Sequence, residues 1–299
     1  MTWISILLAD PAGTPLREQD SEAACQGLAQ LGATADRPNW LADGIALEVP
    51  FQDAEPAAAL EALRVQFAAQ PFDIAVLPAK GRRKKLLIAD MESTIIVEEM
   101  LDELADSLGL RDEIAAVTAR AMQGELDFES ALRERVRKLA GLRQEVLDEA
   151  IQAMTLNPGA RSLVASMKAQ GAFCALVSGG FTFFADPIAK TCGFDRMRAN
   201  RLEIRDGQLT GEVLPPILGR EAKLASLEEF TRELGLSTQD AVAVGDGAND
   251  LAMLSAAGLG VAWRPKPLLR EAMDTCLDHA DLTGLLYLQG YQASEIQPG

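Results

Sequence analysis

Apolar and polar positions follow two rhythms along the 299 residues. In the first 80, apolar runs alternate with helix-spaced segments: "WISILLA", "EQDSEAACQGLAQLG", a short "TADRPNW", "GIALEVP", "DAEPAAALEALRVQFAAQ" and "FDIAVLP". This βαββαβ order predicts a small α+β unit over residues 1–80, with helices on one face of a mainly antiparallel sheet. From residue 85 the strands change character. Leu86 to Ala89 is a continuous apolar run, the pattern of a strand covered on both faces, as in parallel sheets. Helical and strand segments then alternate: helix 159–170, strand "AFCALVS", helix 181–192, a "RLEIRDGQLTGEVL" hairpin, helix 221–234, strand "DAVAVGD", helix 249–256 and strand "GLGVAW". The alternation predicts an α/β unit over residues 85–295. Residues 98–154 interrupt it with helical patterns alone, the first two ending on Gly109 and Gly124 and the third opening on Asp127 as N-cap with Glu129 in its first turn.

Composition narrows the class. Acidic residues outnumber basic ones 44 to 28, and the net charge of −16 repels a polyphosphate backbone, which argues against nucleic acid as a partner. No apolar run reaches the ~18 residues of a membrane span. The start, "MTWISILLADPAG", lacks a basic region and soon meets Asp10, so it reads as a first strand and not a signal peptide, leaving the cytoplasm as the expected compartment. Cys25, Cys174, Cys192 and Cys276 lie far apart, suggesting neither a zinc site nor a disulfide framework. The lone histidine, His279, falls in a loop-like "DHADLTG". The run Arg82 to Lys85 reads as a solvated linker or strand entry marking a boundary near residue 80.

Four elements carry chemistry, each at or beyond the end of an expected strand or on a helix. In "DMEST", Asp90 and Glu92 are two apart in an extended segment and project to one side, suiting a nucleophile and a general acid/base. In "LVSGG", Ser178 is read as ending a strand and opening a helix through Gly179 and Gly180. A hydroxyl and free amides there make an anion site, although the same residues also suit an N-cap with a tight turn. Lys223 lies on an amphipathic helix. In "VGDGAND", Asp246 ends an apolar strand, Gly247 permits a sharp turn, and Asn249 and Asp250 begin a helix. Asp246 and Asp250 with Asp90 offer the hard oxygens that Mg²⁺ prefers.

The ordered set "DMEST", "SGG", Lys223 and "GDGAND" resembles the four motifs of the haloacid dehalogenase superfamily, over about residues 85–290. A helical insert after the first motif, with "VEEMLDELA" and "AMQGELDFESALRERV", makes the chain similar to the phosphoserine phosphatase family within it. The resemblance implies a doubly wound, Rossmann-like parallel sheet with a helical cap, and Mg²⁺-dependent hydrolysis of phosphoserine through an aspartyl-phosphate. It implies Asp90 as nucleophile, Glu92 as acid/base, and Mg²⁺ held by Asp90, Asp246 and the Glu92 carbonyl, with Asp250 supporting the ion's waters. Ser178, Gly179, Lys223 and Asn249 would hold the phosphoryl group. Glu99 would take the substrate ammonium and Arg135 its carboxylate, with Met122 and Phe128 closing over it. The family's usual second acid is Asp, so the longer Glu92 implies a retained role with altered efficiency. The first 80 residues resemble ACT-like modules by pattern, and serve either to bind an amino acid or to pack and dimerise; the second leaves a homodimer open.

Overall fold

In the computed structural model, which describes residues 1–122 and 125–299 without the side chains of residues 121 and 122, two sheets share one apolar core. The chain runs β1 (Trp3–Ala9), α1 (Glu18–Gln30), β2 (Thr34–Ala35), β3 (Asn39–Ala42), β4 (Ala46–Gln52), α2 (Pro56–Gln66) and β5 (Phe72–Pro78) through the first sheet. Its order is β2-β4-β1-β5, with β3 also on β4, and every pairing is antiparallel. The short segment read as one strand divides into β2 and β3, since Pro38 interrupts it and Asp36 donates its N–H to Pro50 instead. β1 is buried on both faces for different reasons. Leu7 and Ala9 pack with Leu28 and Leu63 of the unit's own helices, whereas Ile4, Ile6 and Leu8 join Leu282, Leu285 and Leu286 from the far end of the chain.

The second part begins with β6 (Leu86–Ala89), followed by α3 (Met100–Ser107), α4 (Arg111–Met122), α5 (Phe128–Arg137), α6 (Gln144–Ala153), α7 (Ala160–Ala169), β7 (Phe173–Phe181), α8 (Thr182–Cys192), β8 (Arg196–Arg205) and β9 (Gln208–Leu214). It ends with α9 (Arg220–Glu233), β10 (Ala241–Gly245), α10 (Leu251–Ala256), β11 (Leu259–Trp263), α11 (Pro267–Ala272), β12 (Cys276–Leu277) and α12 (Gly284–Leu288). The strand order is β12-β11-β10-β6-β7-β8-β9, parallel except for the β8–β9 hairpin. The continuous apolar run of β6 is covered on both sides: Leu86 and Ile88 pack with Leu227 and Phe230, and Leu87 and Ala89 with Leu163 and Leu285. From β6 the chain moves to β7 on one side and later returns to β10 on the other. Their adjacency makes a topological switch point, with the crevice beyond their carboxyl ends.

The helical insert, α3 to α6, leaves and re-enters at one hinge. Ile96 bridges Leu156, and the buried Asn157 amide donates to the carbonyls of Thr94 at 2.8 Å and Ile96 at 3.1 Å. Gly109 follows α3 with a φ of 68°, the left-handed conformation expected of a C′ glycine, and the Asp127 carboxylate accepts the Ser130 N–H at 2.7 Å at the start of α5. Gly124 lies outside the described residues.

The basic run is more than a solvated linker. Arg82 donates to the carbonyls of Leu288 (2.9 Å) and Tyr287 (3.0 Å), acceptors at the carboxyl end of α12, and pairs with Glu48 of β4 at 2.6 Å. Arg83 stacks 3.8 Å from the Tyr291 ring centroid and pairs with Glu295. On the opposite side of the seam, the buried Asp73 carboxylate of β5 accepts N–H groups from Asp278, His279 and Ala280 at 2.8–3.2 Å, which places His279 in a loop. No helix among the described residues is long and apolar enough to cross a membrane.

Asp73→Ala leaves those amides without their acceptor at a buried seam. It is expected to lower unfolding free energy by about 2–3 kcal/mol, measured as a shift in the urea midpoint against wild type. An unchanged midpoint would show that water replaces the carboxylate at no cost.

Candidate active site

The carboxyl ends of β6 and β10 bring Asp90 and Asp246 side by side. The Asp90 N–H bonds the Val244 carbonyl at 3.0 Å, extending the ladder one residue past β6. Asp90, Asp246 and Asp250 are all buried, and each offers a carboxylate oxygen within 4.8 Å of the others. Gly245 and Gly247 make room for this turn: a Cβ at Gly245 would stand 2.3 Å from the Asp250 carboxyl carbon, and one at Gly247 would stand 2.4 Å from Asn249 Oδ1.

One ammonium holds the acids together. Lys223, buried on α9, lies 2.8 Å from Asp90 Oδ2 and 2.6 Å from Asp250 Oδ1. Burial pulls its pKa down, but Asp90 and Asp250 together hold it above the ordinary lysine range. Burial, and then the Asp90 charge, push both Asp246 and Asp250 above the usual carboxylate range, with Lys266 and Lys223 respectively opposing the rise. This cluster of hard oxygens under mutual repulsion suits a divalent cation.

The first motif is less extended than its spacing suggests. Met91 is fully buried, and its carbonyl accepts N–H groups from Thr94, Ile95 and Ile96, so the chain turns sharply after Glu92. Ser93 takes a φ of 54° in this turn. Glu92 still faces the same pocket as Asp90. Its Oε1 accepts the Met100 N–H at 3.1 Å, the first residue of α3, and a Cβ on Gly180 would stand 2.9 Å from both its oxygens. Burial, followed by the charges of Glu99 and Asp90, pushes the Glu92 carboxyl up to about 8.

Ser178 does not open a helix. After a bulge, β7 resumes its pairing with β8 at Phe181 opposite Asn200, and α8 starts only at Thr182. The buried Asn200 amide secures the bulge by donating to Gly179 O at 2.8 Å, while its oxygen accepts the Leu218 N–H at 2.7 Å. The Ser178 hydroxyl oxygen accepts the Gly180 N–H at 2.9 Å, leaving its proton free to donate. Asn249 is exposed beside this crevice.

The insert supplies the outer wall. Phe128, 38% exposed, covers Gly179 and Gly219 closely enough that a Cβ on either would lie 3.7 or 3.4 Å from its ring. Phe128 and Arg135 line a cleft of about 1120 Å³ with Ile217, Arg220 and Leu268. Burial lowers the Arg135 pKa against the raising charges of Asp102, Glu92 and Glu99. Glu99 accepts the Ser93 hydroxyl at 2.9 Å. The side chain of Met122 lies outside the described residues. Sequence reasoning missed Lys266, which reaches Asp246 Oδ2 and Glu99 Oε1, both at 2.9 Å. Its only sequence signal is a cation just past the end of the "GLGVAW" strand. Asn157 and Asn200, the two buried amides that hold the site's loops, were missed as well.

Residues 87–255 match the haloacid dehalogenase-like hydrolase family model, and the chain belongs to that family. Phosphoserine phosphatase of Streptomyces coelicolor is 40% identical over 289 residues, 95% of this chain and 70% of that protein. A HAD family hydrolase from Salmonella enterica serovar Typhi superposes with a TM-score of 0.85 at 31% identity, covering 96% of this chain and 98% of that one. A substrate-bound phosphoserine phosphatase superposes at 0.63 with 40% identity, covering 69% of this chain and 98% of that structure.

Two predictions come from Glu92 and its neighbours. Because the folded protein keeps Glu92 protonated to about pH 8, against 4.5 for an ordinary Glu, folding takes up a proton between these values and stability falls as pH rises through them. In metal-free protein, thermal unfolding from pH 5 to 8 should therefore decline more steeply for wild type than for Glu92→Gln; parallel slopes would refute the raised pKa. Gly180→Ala should lower turnover by roughly tenfold or more through displacement of the Glu92 carboxylate, and adding Glu92→Asp should recover part of the loss. A double variant as slow as the product of the two single effects would show that the two positions act independently.

Proposed function

We propose that this chain is a phosphoserine phosphatase, hydrolysing O-phospho-L-serine to serine and phosphate, with Mg²⁺ bound by Asp90, Asp246 and the Glu92 carbonyl and supported by Asp250. The observation that carries the reading is the buried triad of Asp90, Asp246 and Asp250 around Lys223 at the switch point, in a chain with relatives named for this activity over nearly its whole length. The donor set fits the ion, since every candidate ligand is a hard oxygen and the acids repel one another without a cation. When bound, Mg²⁺ supplies charge neutralisation at the phosphoryl oxygens.

In the first step an Asp90 carboxylate oxygen forms a bond to phosphorus as the bond from phosphorus to the seryl oxygen breaks, and Glu92 gives that oxygen its proton. A Glu92 pKa near 8 leaves the acid protonated at neutral pH, the form this step needs. In the second step Glu92, now ionised, takes a proton from water as the water oxygen attacks phosphorus, and the bond from Asp90 to phosphorus breaks to release phosphate. Lys223 offsets charge on the transferring group, while the Ser178 hydroxyl and the Gly179 amide donate to its oxygens and Asn249 flanks them. Arg135 grips the substrate carboxylate and Glu99 its ammonium, beneath the Phe128 ring. Residues 1–80 would serve as an ACT-like module, and the Glu48 pair with Arg82 and the Asp73 hydrogen bonds are the contacts that hold them to the rest of the chain.

Phosphate release from phosphoserine, measured beside a panel of sugar phosphates, tests the assignment. Activity is expected to vanish with chelator, return with Mg²⁺, and fall roughly a thousandfold or more in Asp90→Asn. Full activity in that variant would remove Asp90 as nucleophile, and a preference for sugar phosphates would remove Glu99 and Arg135 from substrate binding.

A further inference from the structure

Lys266 follows β11 between two prolines, and its own N–H is tied to the Asp246 carbonyl at 2.9 Å. Pro265 and Pro267 restrict the backbone, and Lys266 caps α11 with Pro267 in its first turn, so the base of the side chain is fixed and its four-carbon stem is the movable part. The ammonium meets Glu99 of the insert on one side and Asp246 of the sheet on the other. It is the one lysine among the described residues that salt-bridges an insert residue to the buried acid triad. The Lys266 and Glu99 side chains stay 58% and 42% exposed, so this pair is loosely held and can exchange.

Glu99 Oε1 already takes a hydrogen bond from Ser93 and one from Lys266. A second ammonium arriving at this carboxylate meets like charge at contact distance unless the first withdraws. We propose that Lys266 is a specificity-determining residue: its ammonium stands where a substrate ammonium binds on Glu99, and a ligand with its own cation displaces it. This rests on the reading of Glu99 as the ammonium acceptor. A phosphorylated acid without the amine leaves Lys266 on Glu99 and keeps that acid neutralised, whereas phosphoserine must first break the pair. Lys266 therefore narrows the preference for the aminated ligand, and its return to Glu99 favours departure of the amino-acid product.

Calorimetry in the Asp90→Asn background with Mg²⁺ present reads binding without turnover. The ligands are phosphoserine and 3-phosphonooxypropanoate, the same molecule without its amine. Lys266→Met is expected to raise the ratio of affinities, phosphoserine over the des-amino acid, by up to about fivefold, the scale of a half-exposed ion pair, and Lys266→Arg to keep it near the starting value. Comparing the ratio removes the general loss of one positive charge, which weakens both anions alike. Glu99→Gln is expected to lower the ratio. A ratio that Glu99→Gln lowers but Lys266→Met leaves unchanged or reduces overturns the proposal alone. A ratio indifferent to Glu99→Gln overturns the assignment of Glu99 and the proposal with it.

Discussion

The rest of the site depends on Lys223 lying between Asp90 and Asp250. Parallel strands that diverge from a switch point bring their carboxyl ends together, and here those ends carry acids within 4.8 Å of one another, buried from water. Such a gathering of like charge is costly in a low-dielectric setting unless it is paired. The sheet alone does not supply the pair. It comes from α9, held against the sheet by Leu227 and Phe230, so the apolar packing of one helix determines where the compensating charge falls. Burial first, and then the Asp90 charge, raise Asp246 and Asp250 in spite of the lysines beside them, and a pocket of such crowded carboxylates is receptive to a divalent cation.

A second coupling joins the chemistry to the cap. Glu92 accepts the first amide of α3, and Glu99, the residue before that helix, is tied to Ser93 in the same turn and to Lys266 across the crevice. The insert is thus connected to the motif it follows by the Glu92 and Glu99 side chains themselves, besides the Asn157 hinge. A shift of α3 would move the Met100 N–H away from Glu92 and the Glu99 carboxylate away from Lys266 together, so cap position and the electrostatics around Asp90 cannot change independently.

What the sequence disclosed follows from how local each signal is. Asp90 and Asp246 could be read because a buried parallel strand is a run of consecutive apolar residues, and an acid that ends it is conspicuous; Asp250 follows within the same short turn. The Gly109 stop and Asp127 cap are equally local, each needing only its own helix. The sequence points to a helix start at Ser178 because the signal of Ser-Gly-Gly is shared by N-caps and bulges, and the deciding partner, Asn200, sits 21 residues from Gly179 on another strand. Lys266 left even less trace. Its importance arises wholly from the meeting of β11's end with the insert, and no periodicity encodes a contact across 167 residues. The same holds for β1, where alternate residues serve two different cores, a division that an unbroken apolar run conceals.

Glu92 illustrates how a departure from pattern is accommodated. An extra methylene should carry the carboxylate past the position an Asp would take, and a displacement of about 1 Å at an acid/base is expensive in rate. Two features take up the added length. Gly180 has no side chain where the carboxylate lies, and the amide opening α3 meets Glu92 Oε1 at 3.1 Å. That amide is one of the orphan donors of a helix N-terminus, and α3 has no side-chain cap from Glu99, so Glu92 satisfies a need the helix already has. A hydrogen bond to the ionised form lowers a carboxyl pKa, yet burial and the nearby charges of Glu99 and Asp90 outweigh it, and the group titrates near 8. The longer arm therefore reaches a seat where the acid stays protonated at neutral pH while remaining against the Asp90 pocket. In this chain the length of residue 92, the smallness of residue 180 and the open end of α3 form one constraint, and each is understandable only in the company of the other two.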